Sequence, residues 1–148
     1  MSRAEDLRQT IRTLMRVMLI SERTPEANRH VVRFNPHDFH TLGLLAEHAG
    51  MRATELARRL GVAPTTASSL IARLVRQGLV ARDRDAKDGR AVALSLTQDG
   101  QALAAAIHAQ DLRNMELFLS ALDPQEQEQI VAILGKIAAR VAALEAES

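Results

Sequence analysis

Apolar side chains recur at three- and four-residue steps along most of the chain, and each stretch with that spacing predicts a helix with one apolar stripe. The first stripe runs through Leu7, Ile11, Leu14, Met15 and Met18 and is expected to end near Thr24-Pro25, where a polar connector, TPEANRHVVRFNP, takes over. A second helix is expected from near Pro36, with Phe39, Leu42, Leu45 and Ala46 on one face and Gly50 just past its end. The block ATELARRLGVAPTTASSLIARLVRQGLV then reads as two helices sharing a tight turn. Leu56, Ala57 and Leu60 face inward from the first; Gly61 ends it, Val62 plugs the turn and Pro64 suits the first position of the next. In that next helix Ala67, Leu70, Ile71 and Leu74 form the buried stripe, so Thr65, Thr66, Ser68, Ser69, Arg73 and Arg76 face out. Gly78 is a natural C-terminal cap.

The period then changes. Leu79-Val80 opens a strand, and AVALSL alternates, with Val92, Leu94 and Leu96 on one face and Ala91, Ala93 and Ser95 on the other. Between them lies a finger dense in charge, so the two strands predict a β-hairpin. Thr97 can cap a long helix holding Leu103, Ile107, Leu112, Met115, Leu119 and Leu122. DPQE then supplies Asp123 as a cap, Pro124 at the first helical position and Glu126 where a capping box wants an acid. The last helix places Ile130, Ile133, Leu134, Ile137, Val141 and Leu144 at coiled-coil-like spacing, and a surface this apolar seeks a partner. The fold class expected is mainly α with a small antiparallel β-hairpin.

Composition narrows the chemistry. A length of 148 residues suits one domain with its own core. There is no cysteine, which removes disulfides, thiolate metal sites and thiol redox sensing. Neither a signal peptide nor a run of roughly 20 apolar residues is visible, so a soluble cytoplasmic protein with no membrane partner is expected. Net charge is only +1, but it is unevenly distributed: residues 1–33 carry +3, 34–51 carry −2, 52–96 carry +5 and 97–148 carry −5. The basic centre is nearly all arginine, whose rigid fork matches phosphates and guanine edges, although charge of this kind is also what an ordinary solvated surface carries.

The paired helices have the pattern of a helix-turn-helix, in which the second helix offers short polar side chains and arginine to base edges in a major groove; such pairs also occur purely as packing. Serine and threonine there donate to phosphates or bases while letting the backbone approach. The finger RDRDAKDGR is poor core material and a good exposed loop. Gly89 would let the chain turn, and Asp88 could hold a guanidinium, so that Arg90 is presented toward an adjacent minor groove, whose negative potential attracts it. The alternative is that Asp88 and Arg90 only pair across the turn.

Taken together, LARRLGVAPTTASSLIARLVRQGLVAR, the loop DAKDGRAVALSLTQDG and the flanking helices resemble the MarR family of bacterial winged-helix transcription regulators over almost the whole chain, with Asp88-Gly89-Arg90, Leu96-Thr97 and Gly100 matching that family's wing signature. The resemblance implies a winged helix-turn-helix lobe at about 37–97 and dimerisation helices at about 3–24 and 98–146. It implies a homodimer that places two recognition helices and two wings on a pseudo-palindromic site in double-stranded DNA, acting as a ligand-responsive repressor. By the same carry-over Thr65, Thr66, Ser68, Ser69 and Arg73 lie on the recognition helix, Arg90 at the wing tip with Asp88 as its orienting partner, and Arg82, Arg84, Arg52, Arg58 and Arg76 at phosphates. Ala63 departs from the family, where a serine or similar cap is common.

Many members of the family release DNA when a small, often aromatic and acidic molecule binds between the dimer helices and the DNA-binding lobe. Arg12, Arg16, Phe39 and His40 are the candidates for such a ligand, with His37 nearby and aromatic contact resting on Phe34, Phe39 and Phe118. The absent tryptophan excludes the urate-responsive branch, and the absent cysteine a peroxide sensor. The five histidines, His30, His37, His40, His48 and His108, raise a zinc-responsive alternative, but even with Asp111 no complete ligand set is spaced for it, so no metal site and no cofactor are expected. No catalytic motif is present, so no enzyme is expected. The remaining alternative is a winged helix used only for protein interaction or dimerisation, which predicts a neutral or acidic recognition surface.

Overall fold

The computed structural model describes residues 1–19, 36–84 and 87–147, in six helices and three strands. Thr24-Pro25, most of the polar connector, His30, Phe34 and Asp85 lie outside the described residues. The chain divides into two compact units, Met1–Asp111 and Leu112–Ser148, with the division inside the fifth helix.

In the first unit, α1 (Arg3–Leu19) begins with a reciprocal capping box: the Ser2 backbone N–H donates to Glu5 Oε2 at 2.8 Å, and the Glu5 N–H donates to Ser2 Oγ at 3.2 Å. Its stripe is only partly covered: Leu14 is half-buried, whereas Leu7, Ile11, Met15 and Met18 are exposed. α2 (Pro36–Glu47) turns a different face inward from the one expected. Leu42 and Leu45 are buried as anticipated, but Asp38 and Thr41 complete the stripe, Phe39 is half-buried and Ala46 is exposed. The inward face is thus Asp38, Thr41, Leu42 and Leu45, with Asp38 and Thr41 in the places expected of Phe39 and Ala46. Thr41 meets the cost of burial by donating its hydroxyl to the His37 carbonyl at 2.7 Å.

A two-residue strand, β1 (Met51–Arg52), leads into α3 (Ala53–Leu60) and α4 (Pro64–Arg76). The turn between these helices forms as its residues require. Gly61 takes φ +67°, a left-handed conformation that costs glycine little, and the Gly61 and Val62 N–H groups donate back to the Arg58 and Ala57 carbonyls. Val62 is half-buried against the core. Leu56, Leu60, Leu70, Ile71 and Leu74 from the two helices meet Leu42, Leu45, Leu94 and Leu96 in one apolar cluster. Burial of each such side chain contributes about 1.5–3 kcal/mol, which makes this cluster the main cohesive term of the unit.

β2 (Val80–Arg84) and β3 (Val92–Leu96) form the antiparallel hairpin, in register from Val80 opposite Leu96 to Arg84 opposite Val92. β1 adds to the other edge of β3, with Met51 opposite Leu94, giving the sheet order β1-β3-β2. Two residues are too few to show a period, so this strand is not visible in the pattern of the sequence. Val80, Leu94 and Leu96 are buried, while Val92, on the same face, is 47% exposed because the hairpin there extends past the core. The hairpin is tied to α5 (Gln98–Leu119) through Thr97. Its hydroxyl donates to the Gly78 carbonyl at 2.6 Å and accepts the Gly100 N–H at 3.0 Å, and its backbone N–H donates to the Leu79 carbonyl.

In the second unit, α6 (Pro124–Ala146) starts with the capping box read from DPQE. The Glu126 N–H donates to Asp123 Oδ1 at 2.9 Å and the Asp123 N–H donates to Glu126 Oε1 at 3.0 Å. Gln127 Nε2 bridges the Leu119 and Leu122 carbonyls, fixing the corner that precedes the helix. Along α6, Ile130 is half-buried, while Ile133, Leu134, Ile137, Val141 and Leu144 are exposed, and Val131 with them. Among the described residues no helix is long and apolar enough to cross a membrane.

Candidate nucleic-acid interface

The outward surface of α4 is built from its sequence positions. With Ala67, Leu70, Ile71 and Leu74 turned into the core, Thr65, Ser68 and Arg76 project away, and Thr66, Ser69 and Arg73 lie along the flank facing α2. Thr65, Thr66, Ser68, Ser69 and Arg76 are all exposed, as the periodicity anticipated. Ala63 occupies the N-cap in extended conformation with no side-chain cap hydrogen bond, so the first amides of α4 lack the acceptor that serine would bring.

Arg73 departs from the outward face that the spacing predicts: its guanidinium turns to α2. Nη1 donates to Asp38 Oδ2 at 2.8 Å and Nη2 to Asp38 Oδ1 at 2.7 Å, a two-pronged pair between a fully buried carboxylate and an arginine side chain that is 35% exposed. The hydrogen bonds from the guanidinium to the Asp38 carboxylate hold Arg73 above the usual arginine range. Sequence spacing counts Arg73 among the outward residues because it belongs to the polar side of the helix. Which flank meets another element is decided in three dimensions. Asp38 is not among the candidates expected from sequence, yet a signal is present: with Leu42 four residues on and Leu45 seven, the acid sits in register with the apolar stripe.

The hairpin presents its charges as its register dictates. Arg82 and Arg84 share the sheet face of Val80, Leu94 and Val92, so the face that is core at the base becomes arginine toward the tip. Both are exposed, as are Lys87, Asp88 and Arg90. At the tip, Asp88 Oδ1 accepts the backbone N–H of Arg90 at 3.0 Å and the Asp88 carbonyl accepts the Ala91 N–H at 3.0 Å. Asp88 therefore shapes the turn that carries Arg90 through the backbone, a role that the expected contact to the guanidinium did not include. Gly89 is not among the positive-φ glycines, so its place in the turn does not draw on the left-handed region.

The remaining candidates separate. Arg52 and Arg58 are exposed, and Arg58 and Arg59 both approach Glu55, at 3.8 and 3.0 Å. Arg12 and Arg16 line a depression of about 360 Å³ along α1 with Arg8, Gln9 and Thr13. His37 lines a different groove, of about 190 Å³, with Leu60, Val62, Thr66, Ser69, Leu70 and Arg73. Phe39 is half-buried and His40 exposed on α2. Among the described residues no three His, Cys, Asp or Glu side chains converge as metal ligands.

A short helix with an exposed hydroxyl-rich face, packed beside a hairpin whose tip is arginine, can donate hydrogen bonds to anionic oxygens and base edges. Comparisons with known proteins agree with that arrangement. Residues 34–91 match the family described as the MarR family. The chain is 31% identical to the HTH-type transcriptional repressor MdtR of Bacillus subtilis over 70% of this chain and 66% of MdtR. It is also 31% identical to the HTH-type transcriptional repressor Rv2887 of Mycobacterium tuberculosis, over 68% of this chain and 72% of that protein. The matched stretch thus spans about two thirds of the length of these relatives. In fold, the chain is similar to a variant of MepR from Staphylococcus aureus solved with an oligodeoxyribonucleotide, at 24% identity, a TM-score of 0.64 and coverage of 95% of this chain and 99% of that one. With its helix-turn-helix, three-stranded sheet and exposed wing in place, this chain belongs to the MarR family of winged-helix transcriptional regulators.

Proposed function

We propose that the protein is a cytoplasmic repressor without catalytic activity, binding a pseudo-palindromic site in double-stranded DNA as a homodimer. The observation that carries this is the exposure, on one unit, of a hydroxyl-bearing face on α4 and an arginine-edged hairpin beside it. Thr65, Thr66, Ser68 and Ser69 serve the major groove, Arg90 the minor groove, and Arg82 and Arg84 the phosphates that lie between, with Arg52, Arg58 and Arg76 as further phosphate contacts. Support for repression comes from the names of the two bacterial relatives, and support for DNA from the oligodeoxyribonucleotide bound to the MepR variant. Apolar residues left exposed on α1 in the first unit and on α6 in the second supply surfaces for a second copy.

A small anionic or aromatic molecule is the proposed effector, with Arg12, Arg16, Phe39 and His40 as its contacts. MepR has been solved with ethidium bromide, an aromatic molecule. The test of the main reading is a titration of a labelled duplex, selected from a random pool by the protein itself, at several salt concentrations. Affinity should fall steeply and linearly on a log–log plot as phosphates are neutralised by arginine. Arg90→Ala should weaken binding by about tenfold while leaving the particle mass unchanged. Binding that ignores salt, or an Arg90→Ala protein with undiminished affinity, would remove the interface from the mechanism.

A further inference from the structure

We infer that Asp38 and Arg73 form a positioning pair that sets how α4 is presented, and that Arg73, although carried by the recognition helix, directs its guanidinium into the protein instead of to DNA. The inference rests on the DNA-binding role proposed above and adds to it a division of labour within the helix: the hydroxyl residues read, and the pair holds.

Three observations converge. The contact is two-pronged, with 2.7 and 2.8 Å hydrogen bonds from the two terminal nitrogens to the two carboxylate oxygens. A fork on a fork fixes distance, plane and direction together, which a single point contact does not. Second, the anchor is buried. Asp38 is fully buried in the first turn of α2, where the helix dipole favours an anion, and it shares its face with Leu42 and Leu45, both part of the core. Third, the pair spans a place where packing is thin. α4 packs chiefly on α3 and β2, and on its α2 side the surface opens into the groove lined by His37, Val62, Thr66, Ser69 and Arg73. Apolar contact alone leaves that flank of the helix free to tilt, and the ion pair closes it across 35 residues of sequence. Thr66 and Ser69 lie on the same flank as Arg73, so any change in the pair moves residues that face DNA.

The experiment compares wild type with Asp38→Asn, Arg73→Met, Arg73→Lys, the double variant Asp38→Asn/Arg73→Met and, as a phosphate-contact control, Arg76→Ala. Each is titrated with the selected duplex and with a scrambled duplex of equal length across a salt series, and each is first checked for cooperative melting by circular dichroism. A positioning role predicts that Asp38→Asn and Arg73→Met each lower the preference for the selected over the scrambled duplex by about tenfold, with the double variant no worse than the poorer single one. The salt slope of Arg73→Met stays at the wild-type value while that of Arg76→Ala falls by about one. Arg73→Lys keeps the charge but not the fork, so it melts closer to wild type than Arg73→Met does and still loses preference. Should Arg73→Met fold too poorly to titrate, Asp38→Asn and the double variant decide by the same measures.

A salt slope lower by about one in Arg73→Met or the double variant, losses that add in the double variant, or an unchanged preference in Asp38→Asn would each overturn the pairing role while leaving the regulator reading intact. If wild type itself bound no duplex in a salt-dependent way, the regulator reading would fall and this inference with it.

Discussion

Two residues show how much one side chain can settle. Gly100 lies in the first turn of α5, against the backbone of Leu79, and an added Cβ there would fall on the Leu79 carbonyl oxygen. That oxygen also accepts the Thr97 N–H, so it cannot retreat without breaking the junction between hairpin and helix. Gly100→Ala should therefore destabilise the protein by about 3 kcal/mol, the upper range for overpacking, seen as a lowered urea midpoint; a midpoint within error of wild type would show that the junction is soft. Ala63 is the opposite case, a position with something to gain. Its backbone is already extended and it offers no side-chain acceptor, so Ala63→Ser should stabilise by about 1 kcal/mol on the same measurement. No gain would mean that water already satisfies those amides as well as serine does. Gly100 can be quoted as part of a motif from sequence, but only the packing of Leu79 shows why alanine fails there.

At the scale of elements, the ends of α1 and α6 are set by local chemistry. The Glu5 carboxyl is held below the usual range first by its backbone hydrogen bond from Ser2, and that of Asp123 first by its backbone hydrogen bond from Glu126. A group lowered in the folded state contributes stability that is fully present above its unfolded pKa and is lost as pH falls through the folded one. Acid titration monitored by circular dichroism should therefore show helix loss in the acidic range. Asp123→Asn, which retains an acceptor but no longer titrates, should flatten the part that belongs to α6. Equal acid slopes in the two proteins would place the loss elsewhere. The DPQE box, the Gly61 turn and the hairpin are legible in the sequence because each depends on residues within a few positions of one another. β1 is not, because a strand of two residues has no period, and it exists only through pairing with β3. The apolar periodicity counts Phe39 and Ala46 in the inward face of α2 where Asp38 and Thr41 belong, because it does not count an aspartate as a core residue; the burial of Asp38 depends on an arginine supplied by another helix.

At the scale of the whole molecule, the exposed apolar residues of α6 are an energetic term left unmet. Ile133, Leu134, Ile137, Val141 and Leu144 are each about half exposed, and covering each would contribute on the order of 1 kcal/mol. In the proposed dimer a second copy covers that stripe and brings two helix-and-wing surfaces to one duplex. Ile137→Glu combined with Val141→Glu should reduce the particle mass measured by light scattering to that of a single 16.2 kDa chain and sharply weaken DNA binding. A wild-type protein that already scatters as one chain, or a variant that still scatters as two, would refute dimerisation through α6.

What the sequence determined by itself was the helices and the hairpin, the polar face of the recognition helix, the basic character of the wing and its expected partner, because all of these follow from periods, caps and charge within short reach along the chain. What only the tertiary structure decided was the fate of individual polar and apolar groups: Arg73 turned inward to Asp38, Val92 exposed past the end of the core, Asp88 bonded to the backbone of the turn. A helical period tells which side of a helix is polar. It does not tell which neighbouring element that side meets, and a buried charge is stable only where the fold brings it a partner.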